Sequence, residues 1–455
     1  MKRSKKTDKM KRNLNRRDFM RTTAAATGGI AFSSLAMAGT YMNEERPLRI
    51  GFVGVGSRGS YHLDAALGIE GVVVPALCDI KDAPLHRAKR WVEEAGQPSP
   101  GLYGKTDTDF VRMCETEELD VVICSTSWKW HAQVCLAAIN NDKHAVSEVP
   151  MILTLDEAWE IVETFEKTGK WATLALEQAL LESYYAMPVL NMIQQGVFGS
   201  ITHIVGGYVH DLRMVKFNPE EEPWRLQHSV DRNGNLYPDH PMNKIMAMMD
   251  INHGDRLDYL VSVSSGATML NDYAEQYYGD AHPYAAQKMA QGDTNVSLLR
   301  TVKGKLITLN FDTNTPHPRG IFKVQGTKGA FITGSGLGSH VYVDGISPES
   351  HQWEDAEKWI QQYQHPLVKN YNPAPRRNAI RGHGNQGMAT PLTWHLLVKA
   401  LREEVMPYFD VYDSVTSSAV SPLSEMSVSG NGQSVPFPDF TRGKWEKRPP
   451  IDLNQ

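Results

Sequence analysis

From residue 49 onward the apolar positions follow two alternating patterns. Compact apolar runs at Val72 to Leu77, Val121 to Ser125 and His144 to Ser147 read as strands. Between them, Tyr61 to Leu67, Ala83 to Ala95 and Ala132 to Asn140 carry apolar residues at helical spacing. Repeated strand–helix–strand units predict a parallel, doubly wound α/β sheet of the Rossmann type. Asp156 to Thr168 continues the pattern as a helix with an acidic first turn, and Thr173 to Leu176 reads as the last strand.

Beyond that point the pattern changes. Ile201 to Gly207, Asn295 to Val302, Leu306 to Phe311 and Gly320 to Gln325 read as strands of a largely antiparallel sheet, covered on one face by helices. A C-terminal α+β domain is therefore expected over residues 176–455, after a Rossmann domain over 39–175. Asn218 to Asn252 reads as an irregular segment dense in His, Tyr, Arg and Asp, the composition of a loop that builds a site. Pro391 opens a late helix, Leu392 to Glu404, and a Pro-rich tail is expected to wrap the surface.

The first strand runs directly into Gly54-x-Gly56-x-x-Gly59, and Asp79 closes the next apolar run. This order of strand, glycine turn, helix and acid is a dinucleotide-binding fingerprint. Gly54 permits the tight turn, Gly56 lets a pyrophosphate approach the backbone, and Gly59 lets helix and strand pack closely. Asp79 is expected to hold the adenosine ribose and to favour NAD over NADP, a preference that Arg58 beside the turn weakens. In an open α/β sheet ligands bind beyond the carboxyl ends of the strands. Ser125 to His131 and Glu148-Val149-Pro150 fall there and are expected to wall the nicotinamide.

Residues 1–38 stand apart from the fold. A basic stretch ends in Arg16-Arg17-Asp18-Phe19-Met20, a weakly apolar run follows, and Ala36-Met37-Ala38 offers a small-residue cleavage site. This is the pattern of a twin-arginine export signal, so a periplasmic or secreted protein is expected, with no stable membrane insertion after cleavage. With the leader's ten Lys and Arg and two Asp set aside, 37 basic residues face 50 acidic ones, a net charge of −13. Such a surface argues against nucleic acid as a partner. Cys78, Cys114, Cys124 and Cys135 lack CxxC spacing and read as buried free thiols. The Asp and His residues at 210–211, 239–240 and 250–253 follow no recognised ligand spacing, so no metal is expected.

Several segments together resemble the Gfo/Idh/MocA group of sugar-active NAD(P) proteins and, within it, glycoside hydrolase family 109, the NAD-dependent α-N-acetylgalactosaminidases. They are GFVGVGSRG, WKWH at 128–131, SEVP at 147–150, LNMIQQGVFG at 190–199 and GGYVHDLR at 206–213. RNGNLYPDH at 232–240, MDINHGDR at 249–256, VQGTKG at 324–329, DVYD and SPLSE extend the likeness over nearly the whole chain.

The resemblance implies a glycosidase in which NAD is restored at each turnover. Hydride leaves the sugar's C3, a base removes the acidified C2 proton, the glycosidic oxygen is eliminated, water adds, and the hydride returns. His240 and Tyr237 would be the catalytic residues, with Tyr208, Arg225, Pro238 and Asp239 joining them around a carbohydrate substrate. NAD would be held by Ser57, Arg58, Asp79, Trp128, Lys129, Trp130, His131, Glu148, Val149 and Gln178 together with the three glycines.

The larger group carries Glu-Lys-Pro where this chain has Glu148-Val149-Pro150. Valine cannot transfer a proton, which weighs against an ordinary sugar oxidoreductase, the alternative reading; a non-catalytic carbohydrate-binding protein is a third. The family's Glu-Asn reads Glu177-Gln178 here, Glu182 stands where a tyrosine is usual, and His317-Pro318-Arg319 occupies the region of another. By analogy with the fold, an exposed sheet face is expected to pair two copies as a homodimer.

Overall fold

The computed structural model describes residues 46–177, 179–219, 222–370, 389–451 and 453. The export signal and Gln178 lie outside the described residues.

Two sheets form among the described residues. The first takes strands β1 (Leu48–Val53), β2 (Val72–Cys78), β3 (Gly101–Tyr103), β4 (Val121–Cys124), β5 (His144–Ser147) and β6 (Ala172–Thr173). All are parallel, in the order β3-β2-β1-β4-β5-β6. The order reverses between β1 and β4, which opens a crevice at their carboxyl ends. Val121, Val122, Ile123 and Cys124 are all buried, as a strand covered on both faces requires. The last strand is shorter than its apolar run suggests, because Leu174 to Leu176 leave the sheet to carry Glu177 toward the second domain. All four cysteines are free and buried, and burial pushes the Cys78 thiol up to about 12.

The second sheet comprises β7 (Ile201–Val209), β8 (Leu257–Ser264), β9 (Asn295–Thr301), β10 (Leu306–Asp312), β11 (Ile321–Gly326), β12 (Gly329–Gly334), β13 (Gly338–Val343), β14 (Glu354–Asp355) and β15 (Val435–Pro436). Its order is β14-β13-β12-β11-β7-β10-β9-β8-β15, antiparallel throughout except for the β7/β10 pair. Strand β9 alternates strictly: Asn295, Ser297, Leu299 and Thr301 are buried, whereas Val296 and Leu298 face outward.

Two expectations fail here for identifiable reasons. The segment 218–252 is not irregular: it contains the helices Trp224–Asp231 and Asp239–Met249. Met242, Ile245, Met246 and Met249 form a buried stripe at helical spacing that the neighbouring polar residues masked. The C-terminal region is not simply a surface wrap either. It contains a buried 19-residue helix, Val411–Ser429, which the sequence did not suggest because its interior is largely serine.

That helix joins the two sheets. Ser414 Oγ accepts from the Leu174 amide (2.9 Å), Ser418 Oγ from Met151 (3.0 Å), Ser424 Oγ from Asn235 (2.8 Å) and Ser427 Oγ from Ser262 (2.8 Å). Each hydroxyl satisfies a backbone amide that secondary structure leaves unpaired, so small polar residues can line a buried helix at little cost. The late helix, Ala389–Arg402, returns to pack on Ser57–Leu67 of the nucleotide fold.

Candidate functional site

The glycine turn is shaped for close approach. Gly54 has φ of +81°, and a Cβ there would lie 2.5 Å from the Ser125 carbonyl oxygen; a Cβ on Gly59 would lie 1.8 Å from the Gly54 oxygen. A Cβ on Gly56, by contrast, would meet no atom within 4 Å. Gly56 caps the helix Ser57–Leu67 without a side-chain hydrogen bond, which leaves its first-turn amides to an anionic ligand.

Asp79 braces this turn. Its Oδ2 accepts from the Val55 amide (2.8 Å) and its Oδ1 from Lys81 (2.8 Å), with lone pairs remaining for ribose hydroxyls. From the next helix Arg87 donates to the Val55 carbonyl (3.0 Å) and to Ser60 Oγ (2.6 Å), a strap that the motif reading missed. Open space over a helix N-terminus, flanked by an aspartate, fits a dinucleotide.

Arg58, expected beside the turn among the cofactor residues, reaches across the crevice: its Nε donates to Glu148 Oε1 at 2.9 Å. Glu148 also accepts from His62 Nε2 at 2.5 Å, and Trp394 Nε1 donates to His62 Nδ1 at 3.3 Å. The indole thereby fixes the imidazole tautomer, with its proton on Nε2 toward the carboxylate. Burial opposes the Glu148 charge, but Arg58 and His62 override it and hold the carboxyl well below its usual range. Val149 beside it is 2 % exposed and offers no proton-transfer group.

The WKWH loop divides. Trp128 enters the second domain, stacked on Tyr237 at 5.3 Å and close to His228 at 4.7 Å. Trp130 instead packs edge-on against Phe110 at 6.0 Å, with exposed Lys129 4.8 Å above its ring. His131 places Nδ1 2.7 Å from the Pro150 carbonyl and Nε2 3.0 Å from that of Thr126, and burial lowers its pKa. Within the nucleotide fold, His131 also ties the two crevice loops together, and Trp130 braces the first of them, through these contacts.

Across the crevice, the start of the helix Asp239–Met249 and the end of β7 bring Tyr208, Tyr237 and His240 together. The His240 ring stacks on Tyr208 at 5.2 Å and meets Tyr237 edge-on at 4.9 Å. His240 Nδ1 lies 2.9 Å from Glu177 Oε1, which also accepts from the Ala179 amide at 2.7 Å. Burial works against the Glu177 charge, yet His240 outweighs it and the carboxyl stays below its usual range. A carboxylate only accepts, so Nδ1 carries a proton, and in the neutral ring Nε2 is the nitrogen left with the lone pair. Burial pushes the Tyr237 phenol well above its ordinary value and raises Tyr208 as well, so both remain donors at neutral pH.

The guanidinium of Arg225 lies 5.1 Å from the Trp128 ring, 4.7 Å from Trp224 and 5.2 Å from Tyr237, and it pairs with Glu222. A cavity of about 10 Å³, the size of one water, lies among Arg225, Tyr208, Tyr237 and Lys216. Lys216 is buried with only neutral acceptors in contact, Ser229 Oγ at 3.0 Å, Thr313 Oγ1 at 2.9 Å and Asn314 Oδ1 at 2.5 Å. Burial lowers its pKa to about 7.

Asp239 departs from its expected place around the sugar. Its side chain is fully buried, and Oδ1 accepts from Ser417 (2.7 Å) and Ser418 (2.8 Å) of the serine helix. Its position in the helix first turn directs it inward while His240, one residue on, faces the crevice. Pro238 is buried at the N-cap and sets the start of that turn. Glu177, Lys216, Trp224 and His228 were missed as site residues. Glu177 alone carried a signal, an acid just after the last strand of a doubly wound sheet.

Residues 48–176 match the family described as oxidoreductases with an NAD-binding Rossmann fold. Residues 183–447 match the C-terminal domain of glycosyl hydrolase 109. A glycosyl hydrolase family 109 protein of Shewanella baltica is 35% identical over 97% of this chain and 99% of its own. An α-N-acetylgalactosaminidase of Shewanella oneidensis is 34% identical over the same shares. Among solved structures, levoglucosan dehydrogenase in complex with NADH and levoglucosan shares the fold, with a TM-score of 0.64 at 17% identity, over 86% of this chain and 100% of that one. The WlbA dehydrogenase of Bordetella pertussis, in complex with NADH and UDP-GlcNAcA, shares it with a TM-score of 0.57 at 16% identity, over 86% of this chain and 99% of that one. A Rossmann domain built to hold NAD, joined to a sheet domain of this match and extent, makes the chain a member of glycosyl hydrolase family 109, within the Gfo/Idh/MocA fold group.

Proposed function

We propose that the protein is an exported glycosidase that releases a terminal sugar by oxidation, elimination, addition and reduction, with NAD retained between turnovers. The observation that carries this reading is the pair of His240 and Glu177 beside Tyr237, in a crevice whose other wall is Glu148 and a valine. NAD held at the glycine turn would supply reversible oxidation of a sugar hydroxyl, which acidifies the neighbouring C–H.

The chain's own groups would do the rest. His240 Nε2 would take the proton from C2, exchange it with solvent and later deliver a solvent-derived proton to C2, while Glu177 holds the imidazole in the basic tautomer. The Tyr237 hydroxyl would donate to the departing glycosidic oxygen at C1, and Tyr208 and Arg225 would orient the ring. Trp128 and Tyr237, stacked together, would give that wall an aromatic face. The α-N-acetylgalactosaminidase among the relatives favours terminal α-linked N-acetylgalactosamine as the sugar, and the twin-arginine leader supports a periplasmic or secreted site of action.

The test is incubation of the mature protein, without added NAD, with aryl α- and β-glycosides in D2O, followed by mass spectrometry of the sugars. Free sugar carrying one deuterium at C2 is the expected product. An oxidised sugar without aglycone release would sink the glycosidase reading in favour of a sugar oxidoreductase. His240 also gives that second reading a base in place of the missing lysine.

A further inference from the structure

We infer that the exposed aromatic cluster on the helix Met269–Tyr278 is a carbohydrate-binding platform that receives the sugars next to the terminal one. This rests on a sugar occupying the pocket beside His240. Tyr277 is 61% exposed and Tyr278 48%, and on the adjoining helix Arg213–Phe217 Met214 is 71% exposed. Leu270 and Ala274 are the buried face of the tyrosine helix, so its rings are surplus to what anchors it.

The rings are ordered against one another. Tyr273 and Tyr277 lie 4.4 Å apart, one helical turn apart in sequence, and Phe217 stacks on Tyr278 at 5.6 Å. An apolar, rigid array edged by phenolic hydroxyls suits pyranose rings, whose C–H faces are apolar and whose rims are hydroxylated.

A continuous line of contacts joins this array to the pocket. His240 stacks on Tyr208, and the Tyr208 hydroxyl lies 3.2 Å from His210 Nδ1. The next residue, Asp211, holds Arg213 through two oxygens at 2.9 and 2.8 Å, and the Arg213 guanidinium covers Tyr273 at 5.1 Å. Burial, then Arg319, lowers the His210 pKa to about 4, so the imidazole is neutral and can accept from Tyr208. The short helix Arg213–Phe217 exposes Met214 and packs Phe217 among the tyrosines, while its Lys216 and the preceding Leu212 line the cavity. That helix therefore borders both the terminal-sugar pocket, through Lys216, and the platform, through Phe217.

The test is electrophoresis of the mature, NAD-containing protein through native gels with and without soluble gastric mucin. Mucin is expected to retard the wild type. The double variant Tyr277→Ala, Tyr278→Ala should lose at least about three quarters of that retardation, whereas Tyr277→Phe, which keeps the ring, should retain it. Sedimentation of each protein accompanies the gels. An unretarded wild type, an equally retarded double variant, or a loss tied to a change in oligomeric mass, which would make the patch a contact between copies, overturns the proposal. Retardation needs no turnover. If the deuterium experiment fails while the tyrosines still govern retardation, the platform stands and the glycosidase reading falls.

Discussion

His240 donates through Nδ1 to Glu177 at 2.9 Å, although the two residues lie 63 positions apart and in different structural layers. The contact decides which imidazole nitrogen is free to act as a base. Glu177→Gln gives the ring a partner that can also donate, so the wrong tautomer becomes accessible, the same logic as replacing the aspartate of a catalytic triad with asparagine. The expected result is a fall in kcat of about 10- to 100-fold with KM little changed. His240→Asn should cost more, and the double variant should be no worse than His240→Asn alone, since both act through one group. Steady-state kinetics on whichever aryl glycoside is cleaved would check this; additive losses would separate the two residues.

Glu148 is a buried carboxylate answered by Arg58 and His62. Glu148→Ala leaves the guanidinium without this partner in a buried setting and is expected to cost about 3–5 kcal/mol in urea unfolding. The pH dependence has a definite sign. The folded pKa lies well below the ordinary 4.5. The pair's contribution is therefore present above that value and is lost as the pH falls through the folded one. Wild-type stability should fall on acidification below about pH 4.5, and the Glu148→Gln variant should show a shallower fall.

Asp239 behaves in the opposite sense. Burial raises its carboxyl from 3.8 to about 7, even with Ser417 and Ser418 donating to it. The unfolded chain ionises first, so this group's contribution to stability is greatest below about pH 4 and is lost as the pH rises to about 7. Asp239→Asn keeps an acceptor for the serines and removes the ionisation. It should melt above the wild type at pH 8 and near it at pH 4. Equal melting differences at both pH values would contradict burial of an ionisable group here.

The glycine turn allows a sharper structural test. A Cβ at Gly59 would sit 1.8 Å from a backbone oxygen that cannot move without opening the turn. Gly59→Ala should therefore lose bound NAD, measured by absorbance after acid release, and lower the melting temperature. Gly304, with φ of +87° and only an arginine terminus near its Cβ, serves as a control on β-turn strain remote from the crevice. Gly304→Ala should lower stability modestly while retaining NAD.

The nucleotide fold was legible from sequence because its signals are local. A strand, three glycines and an acid within one βαβ unit specify a turn by backbone sterics, and the apolar periodicity of Val72 to Cys78 or Ala132 to Asn140 needs no distant partner to be read. The crevice residues Tyr208, Tyr237, Arg225 and His240 were named from a likeness in motifs, and the fold gathers them. Asp239 shows the limit of that inference: a motif fixes a residue's place on the backbone but not which way its side chain turns.

What only tertiary structure decided are the contacts made over long stretches of chain. The helix Val411–Ser429 is not legible as an element in the sequence, where seven serines interrupt its apolar positions. It is buried because its hydroxyls meet the amides of Leu174, Met151, Asn235 and Ser262 and the carboxylate of Asp239. The roles of Glu177 and Trp394 arise in the same way, through His240 and His62. Sequence by itself determined the elements of the nucleotide fold and the cofactor turn, since these follow from short-range sterics and periodicity. The tertiary structure decided which nitrogen is basic, which carboxylate is paired and which serine is buried, since hydrogen bonds between distant segments leave no periodic trace in the chain.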